Sequence, residues 1–568
     1  MFMTDTRRNI LWMVLAASLF CLWQNWEHYN GRDTLLYPSA TEVTANAGKT
    51  SSANGATPTG DLPTGTSGAT QAAAVTATPS ADVQSAAAVK GETVHIRTDL
   101  VAVDIDSIGA TIDRLELLTH KDQEHTDQNF VLFLQDDKNT YVAETGLIGA
   151  APNLPTHHTP YTVSPGPTQL ADGQNSLDVT FTAESGGLKV AKTFTFTRGS
   201  YVIGVRHTVT NVSAEPLSPN LYLQLVRDDS KPAGTMRFYS PYYGPAVYTA
   251  ADKFQKISFE DIQKKKDDAS PRQATDGWIA ILQHYFVAAW IPTEGLPREY
   301  LTRQVADSQN YQAAAVLPLG SIAPQQTVTN DSRLFAGPEE ERILEQVAPG
   351  LDLTRDYGRT KIIAEPVFWC LEHLHGLLGN WGWAIIVLTL GIKLAFFPLS
   401  AASYRSMARM KSVAPRLKIL QEKYKDDRVK LNQAMMELYK TEKINPAGGC
   451  LPILIQIPVF ISLYATLSAS VEMRGAPWLG WIHDLGAPDP FYVLPIIMMI
   501  SMFVQYKLNP APADPAQAKV MMIMPLVFGV TFFFFPAGLV LYWVTNNLLS
   551  IAQQYWITRV MNAPKPAV

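Results

Sequence analysis

Lys393 interrupts the apolar run Ala384-Ile385-Ile386-Val387-Leu388-Thr389-Leu390-Gly391-Ile392-Lys393-Leu394-Ala395-Phe396-Phe397. An unpaired ammonium in hydrocarbon costs at least ~2.5 kcal/mol, so this charge needs water, a partner or a way out. It lies about seven residues from one end of the run, or roughly 10 Å at the helical rise. That is near the limit over which a lysine stem can carry its head to the interface. Two readings follow: a snorkelling lysine without functional consequence, or a lysine inside a water-filled cavity. Thr389 stands one turn earlier on the same face. Gln456, between Pro452 and Pro458, and the trio Thr545, Asn546 and Asn547 are further polar groups in apolar runs. They could line such a cavity, and hydrogen bonds between helices explain them equally well. No acidic residue in these runs is available to pair with Lys393, which favours a hydrated or substrate-contacting charge. A proton relay, which would want carboxylates, is disfavoured. The chemistry on offer is electrostatic attraction.

Other candidates are weaker. Cys370, His373 and His375 stand at helical offsets of three and five, which do not converge on one ion, and no fourth ligand is evident. No metal or other cofactor is expected. Cys21, Cys370 and Cys450 lie far apart, so a disulfide framework is not expected either. The net charge of -5 over 568 residues does not by itself suggest nucleic acid. The polar half of the chain carries no paired-carboxylate or nucleophile signature strong enough for catalysis, so no enzyme is expected. A sugar-binding or hydrolytic domain is the competing reading there.

The elements that must position these residues divide sharply. Arg7 and Arg8 precede an apolar run at 10–23, and the bulky Cys21-Leu22-Trp23 replaces the small residues a cleavage site needs. Residues 1–28 are therefore expected to be a retained signal-anchor span. Residues 29–91, rich in Ala, Thr, Ser, Gly and Pro, read as a flexible tether. From 92 to 350, period-two runs such as Lys192-Thr193-Phe194-Thr195-Phe196-Thr197 alternate with turn formers such as Glu184-Ser185-Gly186-Gly187. They predict an antiparallel β-sandwich, followed by a helix from Pro338 to about Val347. Residues 351–380 predict an amphipathic helix lying in a membrane interface.

Five further spans are expected at 381–401, 449–470, 491–508, 520–535 and 537–557, with Pro536 breaking the last two into a tight hairpin. Between them lie a basic segment at 402–448, a loop at 471–490, a loop at 509–519 and a tail at 558–568. Residues 402–445 hold eleven basic and five acidic side chains, a net +6; residues 471–490 are net -2. Basic loops stay in the cytoplasm, so 402–448 is expected inside, 471–490 outside, both termini inside and the β-domain outside. The fold class is thus an α-helical polytopic membrane protein plus an all-β domain. In the basic segment, Met407, Met410, Val413, Leu417 and Leu420 mark one helical stripe, and Leu431, Met435 and Leu438 mark a second. A helical hairpin follows, turning at Lys425-Asp426-Asp427-Arg428. Its charge suits ribosomal RNA or anionic lipid, and a self-packed hairpin with a solvated face is compatible with both.

Several stretches resemble the YidC insertase family: Phe397-Pro398-Leu399, Asn445-Pro446-Ala447-Gly448-Gly449-Cys450, Leu454-Ile455-Gln456-Ile457-Pro458-Val459-Phe460, Trp481-Ile482-His483-Asp484-Leu485, Phe535-Pro536-Ala537-Gly538-Leu539-Val540-Leu541-Tyr542-Trp543 and Gln283-His284-Tyr285-Phe286. Each is modest alone; in this order they are specific. The resemblance implies a bacterial inner-membrane insertase and chaperone, with its β-domain in the periplasm and a five-helix core holding a cytoplasm-open hydrophilic groove. The family's groove positions fall on Lys393, Thr389, Gln456, Trp543 and Asn547, and an apolar slide falls on Phe460, Met498 and Phe534. The implied partners are nascent membrane proteins, the Sec translocon with its accessory subunits, the ribosome and signal-recognition targeting machinery, and membrane lipids. Arg405, Arg409, Lys411, Arg416, Lys418, Lys423, Lys425 and Arg428 would carry the ribosome and targeting contacts. The implied mechanism is physical: the groove half-hydrates a client's polar tail while its apolar segment slides into lipid, at about 25 cal/mol per Å² of apolar area buried. A solute transporter is the alternative from another class, but the spans show no repeated halves. A membrane-anchored carbohydrate-binding protein or enzyme is another.

Overall fold

The computed structural model describes residues 91–122, 125, 127–231, 242–264, 272–305, 308–355, 357, 360–424, 427–442, 451–509 and 515–562. The expected N-terminal span, nearly all of the tether and Cys450 lie outside them. The described residues fall into two compact units, one up to Arg355 and one from Tyr357 onward.

The first unit is a sandwich of two antiparallel nine-stranded sheets. One runs, neighbour to neighbour, Thr93–Arg97, Val101–Asp106, Thr111–Lys121, Asn129–Gln135, Thr140–Ile148, Asn220–Asp228, Asn310–Pro318, Arg298–Gln304 and Arg272–Ala274. The other runs Lys253–Lys256, Gly244–Thr249, Trp278–Gln283, Phe286–Pro292, Thr327–Pro338, Val202–Asn211, Leu188–Thr197, Ser176–Ser185 and Thr162–Val163. Alternation decides which side chains turn inward. In Leu188–Thr197 the inward set is Leu188, Val190, Lys192, Phe194 and Phe196, so a lysine occupies a core position. The sheets meet through buried contacts such as Trp290 Nε1 donating to Gln224 O at 3.0 Å and Phe130 stacked on Phe286. His284 and Tyr285 turn the hairpin between Trp278–Gln283 and Phe286–Pro292, with Tyr285 left-handed at φ 72°. The expected helix from Pro338 begins later, at Glu341–Val347, because Pro338 still belongs to the preceding strand.

The second unit is helical: α1 (Lys361–Leu378), α2 (Trp381–Ala395), α3 (Phe397–Lys423), α4 (Arg428–Thr441), α5 (Leu451–Ala469), α6 (Val493–Leu508), α7 (Pro515–Thr531) and α8 (Ala537–Asn562). Asn380 starts α2, its side chain accepting from Trp383 N at 3.2 Å. The expected span 381–401 takes in two helices. α2 stops at Phe396, and α3 leaves it at 68°. Pro398 has no N–H with which to extend the α2 ladder, yet fits the first turn of a new helix. Two other bounds move. α7 starts at Pro515, inside the expected loop 509–519, and α8 runs to Asn562, into the expected tail. Asp427 caps α4 by accepting from Lys430 N at 3.1 Å. Among the described residues no single helix is both long and apolar enough to cross a bilayer; α2 and α3 pass together only as a bent pair.

Candidate functional site

α8 carries the polar residues Asn546, Asn547, Ser550 and Gln554, all nearly excluded from solvent. Helical geometry sends neighbouring positions to different sides, so each can reach a different neighbour. Asn546 Oδ1 accepts from Gln456 Nε2 on α5. Asn547 Nδ2 donates to Ser501 Oγ on α6 at 3.1 Å and lies 3.4 Å from Met498 Sδ. Ser550 Oγ accepts from Lys393 Nζ on α2 at 2.7 Å and donates to Asn546 O at 2.7 Å. Gln554 Nε2 donates to Asn509 Oδ1 at 3.2 Å, just beyond α6. Three helices are thereby tied by side chains to the fourth.

Lys393 is 7% exposed, and among the described residues its acceptor is a neutral hydroxyl, with no carboxylate paired to it. Thr389, buried on the same helix face, donates to Ile385 O at 2.7 Å. Trp543 packs edge-on to Phe460 at 4.7 Å and to Phe532 at 5.6 Å between ring centres. Among the described residues its buried indole Nε1 has no hydrogen-bond partner. Polar seam and aromatic cluster therefore adjoin through α8 and α5, since Gln456 and Phe460 sit one turn apart.

The predicted site residues divide by placement. Lys393, Gln456, Asn547 and Trp543 gather around α8, with Thr389 behind Lys393. Phe460 is half-buried, and Phe534 is 47% exposed on the turn Phe532–Phe534. Met498 differs from the expected slide. It is 0% exposed, packed among Leu494, Val540 and Val544, because it faces Asn547 across the α6–α8 contact. Arg405, Arg409, Lys411, Arg416 and Lys423 are exposed on α3, and Arg416 pairs with Glu442 at 2.6 Å. Lys425 and the side chains of Lys418 and Arg428 lie outside the described residues.

Sequence reasoning missed Ser550 and Ser501. The available signal was spacing: Ser550 stands four residues after Asn546, on the same face of an apolar helix. The Cys370, His373 and His375 set does not converge. His373 Nδ1 pairs with Trp369 O at 2.8 Å and His375 stacks on Trp381, and no group of three potential ligands is arranged for a metal among the described residues.

The comparisons with known proteins agree along the chain. Residues 93–370 match the family model for the YidC periplasmic domain, and residues 373–564 match that for the 60Kd inner membrane protein. A Cupriavidus necator protein named membrane protein insertase YidC is 55% identical, covering 99% of each chain. One of the same name from Bordetella parapertussis is 53% identical over 98% of each chain. A crystal structure of an active YidC insertase aligns at 18% identity with a TM-score of 0.38, covering 82% of this chain and 95% of that one. With 53–55% identity to those two relatives sustained from end to end, the chain belongs to the YidC family.

Proposed function

We propose that this chain is a membrane protein insertase and chaperone of the bacterial inner membrane, placing, folding and assembling integral membrane proteins alone or beside the Sec translocon. One observation carries the reading: a buried lysine held by a neutral hydroxyl, in a polar seam beside helices whose outer faces are apolar. On α6 and α7 the exposed side chains include Ile496, Ile500, Ile523, Leu526 and Val527. Soluble monomers rarely expose apolar faces of this extent, and a lipid surround accounts for them. α1 exposes Ile362, Trp369 and Leu377, which suits a helix seated at an interface.

In this reading α2, α5, α6, α7 and α8 cross the membrane together with the N-terminal anchor. Both termini and the α3–α4 hairpin face the cytoplasm, where its exposed arginines and lysines meet the ribosome, the targeting machinery or anionic lipid. The β-sandwich faces the periplasm. Lys393, Thr389, Gln456, Asn547 and Trp543 line a wet groove open to the cytoplasm. Hydrophobic burial supplies the driving force. The cation attracts a client's short acidic tail into the groove, while the client's apolar segment passes along Phe460 and Phe534 into lipid, with Met498 supporting that face from behind.

Site-specific crosslinking of a stalled nascent membrane protein to probes at Phe460 and Phe534 tests this. Adducts are expected at both, and their absence at both refutes the slide. Lys393→Ala is expected to weaken insertion of acidic-tailed clients more than neutral-tailed ones, and Lys393→Arg to be tolerated. Equal insertion of both client types by the Ala variant removes the charge from the mechanism.

A further inference from the structure

Ser550 Oγ is where several groups meet. It accepts from Lys393 Nζ and donates to Asn546 O. A hydroxyl has one proton to give and two lone pairs to offer. Giving that proton to Asn546 O turns the lone pairs outward from α8, one towards the ammonium. Ser550 is 3% exposed, so its bonds are made chiefly within the helix cluster. Asn546 in turn receives Gln456 from α5, one turn from Phe460. The seat of the cation and the aromatic pair Phe460–Trp543 are thus fixed to one stretch of α8.

We propose that Ser550 is a positioning residue for insertion: its hydroxyl sets the depth of the Lys393 cation and thereby the preference for acidic client tails. This rests on the reading of Lys393 as the client-facing charge. The neutrality of the partner matters. A carboxylate in this place would attract the ammonium itself and compete with the client's acid, whereas a hydroxyl holds the ammonium and leaves its charge whole. Without the hydroxyl, the flexible lysine stem carries the head towards water. The charge is then displaced along the helix rather than removed.

The test uses the full-length protein in inverted membrane vesicles, with Ser550→Ala, Ser550→Thr, Lys393→Ala and the Lys393→Ala/Ser550→Ala double variant. The first readout is acylation of Lys393 by a membrane-impermeant amine reagent, quantified by peptide mass spectrometry. It is expected to rise on the order of tenfold in Ser550→Ala, as loss of a hydrogen bond to a charged group implies, and to return towards the wild-type level in Ser550→Thr. The second is the ratio of acidic-tailed to neutral-tailed client inserted. Ser550→Ala is expected to lower it as Lys393→Ala does, and the double variant no further. Unchanged acylation in Ser550→Ala overturns the proposal. So does equal loss for both clients that adds to the effect of Lys393→Ala, which is what a packing role alone gives. If Lys393→Ala leaves the ratio unchanged, the client-facing reading of Lys393 fails and the selection role of Ser550 falls with it, while the acylation result still reports the seat. Should Ser550→Thr not accumulate, the contrast between Ser550→Ala and wild type decides alone.

Discussion

Lys192 makes the stability of the β-sandwich depend on pH in a window where few other groups act. It points inward from Leu188–Thr197, its Nζ donating to Gly109 O at 2.6 Å and Thr145 O at 2.7 Å, and it stands 4.6 Å over the Tyr161 ring. Burial lowers its pKa from 10.5 to about 7, against an opposing pull from Glu144. Between those values the unfolded chain binds a proton that the folded one does not, so stability rises with pH across the window. Below about 7 both states are protonated and the dependence ends. Each pH unit inside the window is worth up to ~1.4 kcal/mol, so moving from pH 7 to pH 9 stabilises the sandwich by roughly 2 kcal/mol. Other displaced groups stay out of the way. His157 is lowered by burial to about 3, and Asp113 is raised to about 6. Lys192→Met keeps the length of the side chain and removes the titration. Urea denaturation of residues 91–355, followed by the fluorescence of buried Trp278 and Trp290, measures the slope at pH 7, 8 and 9. Wild type is expected to gain stability over this range and Lys192→Met to stay flat. Equal slopes in the two proteins, or a wild type that weakens towards pH 9, refute the assignment.

Asp113 gives the opposite sign. Burial, then repulsion from Asp104 and Asp106, raises its carboxyl from 3.8 to about 6, so stability falls as pH rises between those values. Asp113→Asn is expected to gain ~1 kcal/mol at pH 7.5, after allowance for solvent screening, and nothing at pH 4, in the same denaturation assay. Asp489, 1% exposed, accepts from Trp481 Nε1, Phe491 N and Leu494 N at 3.0, 3.0 and 2.7 Å. Asp489→Ala strands three donors and is expected to cost about 3–5 kcal/mol, read as a lowered melting temperature in detergent; an unchanged melt contradicts it. At Gly382 an added Cβ would lie 2.1 Å from Trp478 Cδ1. Gly382→Ala is therefore expected to destabilise the loop by about 1–3 kcal/mol and speed protease cleavage within 471–490, and adding Trp478→Ala should reverse the effect.

The β-sandwich was legible because inward and outward residues alternate, as Leu188–Thr197 illustrates. That same alternation places Lys192 in the core, although its charge argues for the surface, and the carbonyls of Gly109 and Thr145 with the Tyr161 ring resolve the conflict. The apolar helices were legible as runs, but the break at Phe396 was not. A proline next to an apolar run reads either as part of a span or as the first turn of a new helix, and here the second holds. In the polar seam, Lys393, Gln456, Asn546 and Asn547 stand out against hydrocarbon. Ser501 and Ser550 do not, since small hydroxyls are common in apolar helices and bond their own backbone. Met498 shows the other limit. Apart from Ser501 and its polar last turn, α6 carries apolar residues on all sides, so its sequence says little about which face turns inward.

α8 works as a spine. The hydrogen bonds that join Lys393, Gln456 and Asn547 into one seam all terminate on α8. Freeing one rib therefore breaks that rib's own attachments to α8 and leaves the others standing. An arriving segment would meet a fan that unfolds rib by rib, not a barrel that must come apart whole.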